Sequence, residues 1–234
     1  MSYKNIKHIF FDLDHTLWDF EKNSEEALSE IIGGCQKNCG FTFSLKEFLD
    51  TYKPINYLMW ELYRKNEIKK EELRVRRFGD TLIKLGIDDI KIAEFIADEY
   101  VKISPRKTNL FPHTIEALEY LSKKYKLHII TNGFEEIQYT KLKTSKIDIF
   151  FDKVITSEAI GVKKPHPKIF AHALEEARAK IDESIMVGDN YEADILGAVN
   201  FGIPAIFFNP ELKEEQPHKK VKQIADLKEL IILL

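Results

Sequence analysis

Cysteine is nearly missing from this 234-residue chain: Cys35 and Cys39 are the only two. Two thiols are too few for a disulfide framework, and their spacing is not CxxC, so they read as reduced structural thiols. An excess of one charge is missing as well. Lys and Arg number 35 against 38 Asp and Glu, a formal charge of −3. General nucleic-acid binders are basic, so a nucleic-acid polymer is not the expected partner, while a nucleotide stays open as a small substrate. There is no long hydrophobic run. The longest are short, such as "LIILL" at Leu230–Leu234, far below the roughly 20 residues that cross a bilayer, so no membrane partner is expected. The opening "MSYKNIK" lacks the apolar core of a secretion signal, which makes the cytoplasm the expected location. No HExxH or Cys/His cluster suggests zinc. Neither an internal repeat nor a low-complexity linker interrupts the chain.

What is present is an ordinary globular balance, 44% hydrophobic and 31% charged, enough for one large domain or a domain with a substantial insertion. Ile6 to Asp12 reads as a strand, short, apolar and rich in β-branched and aromatic residues. From about Asn23 to Ser104 the pattern is helical. Ser44 and Glu47 have capping-box spacing, which opens a helix. "PINYLMWELYRKN" sets Ile55, Leu58, Met59, Leu62 and Tyr63 on one face. "EELRVRRFGDTLIKLG" does the same with Val75, Phe78, Leu82 and Leu85 before Gly86, and "KIAEFIADEYVKI" offers Ile92, Phe95, Ile96 and Tyr100.

After Pro105 helices alternate with the strands "KLHIITN", "KVITS", "SIMVGD" and "PAIFFN". Such alternation predicts an α/β fold, a doubly wound parallel sheet with helices on both faces, which the first strand must join. The long helical stretch is then an inserted cap. The expected division is an α/β core of residues 1–19 and 105–234 and an all-helical cap of residues 20–104.

In an open α/β sheet, ligands bind beyond the carboxyl ends of the strands. The first strand delivers Asp12 and Asp14, which strand alternation would turn to one side. "KLHIITNG" delivers Thr131 and Asn132. "SIMVGDNYEAD" delivers Asp189 and, a helical turn later, Asp194, and "GVKKPHPKIF" carries Lys164. Singly these are weak: an acidic pair is usually surface, TNG is a routine turn, and KKP is usually a solvated helix entrance. Their order, all at predicted strand ends, is what carries weight. Carboxylates at the end of a buried strand need compensation, and a cation or a reaction would supply it.

"DLDHT", "TNG", Lys164-Pro165 and "GDNYEAD" resemble the four ordered motifs of the haloacid dehalogenase-like hydrolases, and the resemblance covers nearly the whole chain. It implies a Rossmann-like core with an early helical cap, and phosphomonoester hydrolysis through an aspartyl phosphate. Asp12 would be the nucleophile, a role open to carboxylates. Asp14 would protonate the leaving oxygen and then assist water. Mg²⁺ would be held by Asp12, the backbone carbonyl of Asp14 and Asp189, with Asp194 orienting waters or Lys164. Thr131, Asn132 and Lys164 would cradle the phosphate. Dehalogenases of this kind lack the second Asp of the first motif and need no metal, so Asp14 favours phosphoryl chemistry.

Two segments, "DHTLWDFEKNS" and "ELRVRRFGDTL", are similar to those of pyrimidine 5′-nucleotidases acting on noncanonical nucleotides. That makes a pyrimidine nucleoside monophosphate the expected substrate; a sugar phosphate or other small metabolite, or a phosphomutase reaction, is the alternative. Trp18, Phe20 and Phe134 could pack against a base or serve as hinge and core. At most one or two of Arg74, Arg76 and Arg77 could look into the site. His15 fills a turn, and His166 either touches phosphate or caps the next helix. A phospho-receiver would use similar chemistry without turnover, but the chain is too long for one and carries an unexplained cap. A non-catalytic binder has no positive support, since every expected catalytic side chain is present.

Overall fold

The structure is a computed structural model and describes residues 3–39, 41–212 and 221–234. The chain divides into two compact units, Met1–Phe20 with Thr108–Leu234, and Glu21–Lys107.

The first unit is built on a six-stranded, wholly parallel sheet. Its strands are β1 (His8–Phe11), β2 (Lys126–Thr131), β3 (Phe151–Thr156), β4 (Ser184–Gly188), β5 (Ala205–Phe208) and β6 (Val221–Ile224), in spatial order β3-β2-β1-β4-β5-β6. Every residue of β1, β4 and β5 is buried, as expected of strands covered on both faces. Alternation sorts them. Ile9 and Phe11 join Leu127, Ile129, Ile185, Val187, Ile206 and Phe208 in one core layer. Phe10 joins Ile130, Met186, Ala205, Phe207 and Phe170 in the other. Fully burying one such side chain contributes about 1.5–3 kcal/mol. The chain runs outward from β1 through β2 to β3 on one side and through β4 to β6 on the other. The order therefore reverses beside β1, the point at which such sheets leave a crevice for ligands.

The second unit is four helices, α1 (Phe20–Cys39, its first residue shared with the sheet unit), α2 (Leu45–Arg64), α3 (Lys70–Lys84) and α4 (Ile90–Ile103). The Ser44–Glu47 capping box is formed in both directions at the start of α2. The capped segment and the "PINYLMW" segment prove to be one helix with Pro54 inside it. Phe43, Phe48, Tyr52 and Phe78 stack successively at centroid distances of 6.0, 5.8 and 5.3 Å. Cys35 is buried among them.

Several expectations need adjusting. Leu58 and Phe95, placed on buried helix faces from spacing, are exposed; the inward stripe of α4 is instead Ala93, Ile96, Ala97 and Tyr100. "YEADILGAVNFG" is not one regular helix: Tyr191–Leu196 forms a wide π-type turn before the short helix Gly197–Phe201. The sixth strand, "VKQI", carries too little apolar signal to be read as one.

The core-side helices needed below are α5 (Thr114–Leu121), α6 (Glu135–Thr144), α7 (Ser157–Ile160) and α8 (Pro167–Ala177).

Candidate active site

Three adjacent strands end side by side, and each delivers a polar residue at or just past its last position. Asp12 follows β1, Thr131 ends β2, and Asp189 follows β4. β1 ends at Phe11, one residue before Asp12, so strand alternation does not orient Asp12 and Asp14 as expected. A closed loop does. The backbone N–H groups of Leu17 and Trp18 both donate to Leu13 O at 2.9 Å, and His15 N donates to Trp18 O at 3.0 Å. His15 supplies the left-handed residue that closes it (φ 62°), and its ring rests on Phe20, 4.7 Å between centroids.

Carboxylate oxygens of Asp12, Asp189 and Asp194 lie within 4.8 Å of one another. Lys164 threads into this cluster from the loop between α7 and α8. Its Nζ is 2.5 Å from Asp12 Oδ1, 2.6 Å from Asp194 Oδ1 and 2.7 Å from Ile130 O, with the side chain 2% exposed. Asp194 Oδ2 accepts from Asn190 N at 3.0 Å, so both oxygens of Asp194 are engaged. Gly188 makes room for it, because a Cβ there would stand 2.4 Å from Asp194 Oδ2. Asp189 Oδ1 accepts from Thr16 Oγ1 at 3.0 Å.

Burial raises the Asp12 carboxyl well above its ordinary value; Lys164 opposes this, and Asp194 and Asp189 add to it. Burial, then Asp194, pushes Asp189 up to about 7, with the Thr16 hydrogen bond opposing. For Lys164, burial works to lower the value, but Asp12 and Asp194 outweigh it and raise it. Three carboxylates facing one ammonium leave a formal charge of −2, which a divalent cation matches. The donors are all hard oxygens, the set that suits Mg²⁺.

Asp14 is held apart from this cluster. Its Oδ1 is 2.5 Å from Lys141 Nζ and its Oδ2 2.9 Å from Gln138 Nε2, both groups from α6. Thr131 Oγ1 accepts from the same Gln138 nitrogen at 2.6 Å and from Gly133 N at 3.1 Å. The Asn132 side chain braces the Lys164 backbone. Its Nδ2 donates to Lys164 O at 3.0 Å, and its Oδ1 accepts from Lys164 N at 2.8 Å. His166 caps α8, accepting from Lys168 N at 3.2 Å.

The aromatic expectations fare differently. Trp18 has no exposed surface, and Lys141 Nζ sits 4.2 Å above its ring. A ring with that burial stacks on a protein cation rather than offering its face to a base, so Trp18 is corrected from substrate contact to platform. Phe134, 5% exposed, is likewise core, leading into α6. In the helical unit Arg74 pairs with Asp98 at 2.8 Å, and Arg76 with Glu72 and Asp80 at 2.8 and 3.2 Å. Arg77 is buried against the Phe78 and Tyr100 rings and donates to Asn56 Oδ1. Thr16, Gln138 and Lys141 were not anticipated. The sequence offered no signal for Gln138 and Lys141, since polar residues three apart are usual on a solvated helix face.

Carboxylates and a hydroxyl at the ends of the central parallel strands, with a buried lysine brought in from the loop before α8, define a polar site on a Rossmann-like α/β core. The chain belongs to the haloacid dehalogenase-like hydrolase family, whose model matches residues 9–208. It is 30% identical over 231 residues to the pyrimidine 5′-nucleotidase YjjG of Escherichia coli (strain K12), covering 95% of this chain and 96% of that one. It is also 32% identical over 242 residues to the glyceraldehyde 3-phosphate phosphatase of Methanothermobacter thermautotrophicus, covering 97% and 100%. Its fold matches the crystal structure of the HAD-hydrolase YfnB from Bacillus subtilis bound to magnesium, with a TM-score of 0.87 and 24% identity over 98% of this chain and 99% of that one.

Proposed function

We propose that the chain is a magnesium-dependent phosphomonoester hydrolase that works through an aspartyl phosphate on Asp12. The observation that supports this most is the clustering of the Asp12, Asp189 and Asp194 carboxylates, with the buried Lys164 ammonium paired to Asp12 and Asp194. That arrangement puts the Asp12 carboxylate beside a fixed positive charge at the crevice of the sheet, which supports a nucleophilic role for it.

In the first step an Asp12 oxygen forms a bond to phosphorus while the bond to the ester oxygen breaks. Asp14 gives its proton to that departing oxygen, releasing the alcohol. In the second step water attacks the phosphorus, Asp14 takes a proton from it, and the Asp12–phosphate bond breaks to give inorganic phosphate. Proton transfer of this kind contributes about 10²–10⁴-fold. Lys164 and the Thr131 hydroxyl stabilise the phosphoryl oxygens; Asp194 and the Asn132 side chain hold Lys164 in position. Mg²⁺, held by the Asp12 and Asp189 carboxylates and the Asp14 carbonyl, would neutralise the anionic site and polarise the phosphoryl group.

Asp12→Asn tests the assignment. It should abolish hydrolysis of p-nitrophenyl phosphate with Mg²⁺ present and leave the circular dichroism spectrum unchanged. Activity close to that of the parent would remove Asp12 as nucleophile.

For the substrate, we infer a pyrimidine nucleoside 5′-monophosphate. The full-length likeness to a pyrimidine 5′-nucleotidase supports it; the equally complete likeness to a glyceraldehyde 3-phosphate phosphatase supports a triose phosphate instead. A panel of both ester classes with Mg²⁺ separates the two by kcat/KM, and selectivity for the triose would sink the nucleotide reading while sparing the mechanism.

A further inference from the structure

Helix α6 contributes nothing to the carboxylate–lysine cluster, yet it places two polar side chains in the protein interior. Gln138 has no exposed surface and Lys141 is 4% exposed. Both reach the same carboxylate. Lys141 takes Oδ1 of Asp14 and Gln138 takes Oδ2, so neither oxygen can turn without breaking a partly buried hydrogen bond. Each oxygen has a second lone pair, which stays open to a proton in transit.

Lys141 is itself fixed. Its ammonium lies 4.2 Å from the Trp18 ring centroid and 5.7 Å from that of Phe20, and the backbone of Trp18 bridges to Asp14. A buried cation is costly without a partner; here one carboxylate and two ring faces compensate it. Gln138 has a second task. Its Nε2 also donates to Thr131 Oγ1, which accepts from Gly133 N as well. With both acceptor positions filled, the Thr131 hydroxyl can act only as a donor, the sense a phosphoryl oxygen requires. Gly133 admits the amide so closely that a Cβ would meet Gln138 Nε2 at 2.3 Å.

We propose that Lys141 and Gln138 are positioning residues for the reaction: they lock the Asp14 carboxylate against the Trp18 platform, and Gln138 also turns the Thr131 hydroxyl outward as a donor. The inference rests on the proposed role of Asp14 as the group that protonates the leaving oxygen.

Two esters of similar size and different leaving groups test it. Phenyl phosphate needs a proton on its departing oxygen; p-nitrophenyl phosphate leaves as a stable anion and needs little help. Single-turnover release of phenol or p-nitrophenol, with Mg²⁺ in excess, reports the first step alone. Lys141→Met keeps the apolar length over Trp18 and removes the charge. It should slow phenol release by about 10- to 100-fold, the scale of a misplaced catalytic group, and slow p-nitrophenol release by less than about threefold. KM should barely change, and Lys141→Arg should recover part of the phenol rate. Gln138→Leu should show the same leaving-group split, with an added loss shared by both esters through Thr131. If Lys141→Met does not fold, Lys141→Arg and Gln138→Leu carry the same comparison.

Equal losses on the two esters for the lysine variants, or no loss on either, overturn the proposal. The two failures can be told apart. A parent protein that releases neither phenol overturns the phosphatase reading and this inference together. A parent that is active and is silenced by Asp12→Asn, but whose ester ratio ignores Lys141 and Gln138, overturns this inference alone.

Discussion

Replacing Lys164 with methionine removes the one cation that Asp12 and Asp194 share while keeping most of the side-chain volume. Nζ lies 2.5 and 2.6 Å from those carboxylates and is almost wholly shielded from water. Deleting one partner of a buried ion pair costs about 3–5 kcal/mol, because the charge left behind is uncompensated. For a chain of this size each kcal/mol shifts the melting temperature by roughly 2–4 °C, so Lys164→Met should melt about 6–20 °C lower in EDTA near pH 8.

The pH dependence follows from the carboxyls. In the parent fold Asp189 is raised to about 7 and Asp12 is raised as well, burial being the leading cause in both. An unfolded Asp ionises near pH 4, so between about pH 4 and pH 7 the folded chain holds protons that the unfolded chain has lost. Stability without metal therefore falls as pH rises through that window. Towards its acid end Asp12 and Asp189 are increasingly neutral and need less counter-charge. The penalty of Lys164→Met should thus be smaller near pH 5.5 than near pH 8. Thermal melts of parent and variant in EDTA at the two pH values measure both effects. A variant that melts within about 2 °C of the parent at high pH would refute the view that Lys164 is the shared counter-charge.

Two further predictions concern protonation and charge. His128 is lowered to about 4 by burial and by the neighbouring His8, whose Nδ1 lies 3.1 Å from its Nε2. A histidine depressed in the fold stabilises it fully above about pH 6.5 and loses that contribution as pH falls towards 4, here about 2–3 kcal/mol. His128→Leu should flatten the acid limb of the urea-midpoint profile, and superimposed limbs would count against it. At the site itself, inorganic phosphate should bind more tightly with Mg²⁺ than with EDTA in isothermal titration near pH 8, because three carboxylates repel the dianion. Equal affinities would show that Lys164 alone offsets them.

Much of the site was legible because strand ends are legible. A short apolar run that stops in a carboxylate, as at Asp12 and Asp189, or in Thr131-Asn132, violates the hydrophobic pattern at one defined spot, and the sheet topology gathers those spots. What escaped belongs to helix faces and to tertiary distance. Gln138 and Lys141 on α6 look like solvated helix positions, since polar residues three apart are normal on an outer face; only their burial against Asp14 gives them meaning. Trp18 went astray for the converse reason. An aromatic beside an acidic motif suggests stacking, and nothing local reveals that a lysine 123 positions later occupies its ring. Arg76 pairs with i±4 partners on its own helix, Arg74 pairs across to Asp98 on α4, and Arg77 turns inward between aromatic rings, a choice among helix faces that periodicity leaves open.

The two sides of the site divide the work by charge. Around Asp12 the fold gathers three carboxylates and one lysine, an arrangement that is costly without a further cation and therefore ready to bind one. Around Asp14 it balances one carboxylate with one lysine and adds a neutral amide, leaving nothing for a cation to neutralise. Under the proposed mechanism the nucleophile, Asp12, benefits from the first setting, where a bound cation would draw the phosphoryl group in. The proposed proton carrier, Asp14, benefits from the second, where Lys141 and Gln138 hold its carboxylate with or without a metal. Losing the metal should therefore disarm the attack while leaving Asp14 in place, and exchanging Lys141 should do the reverse.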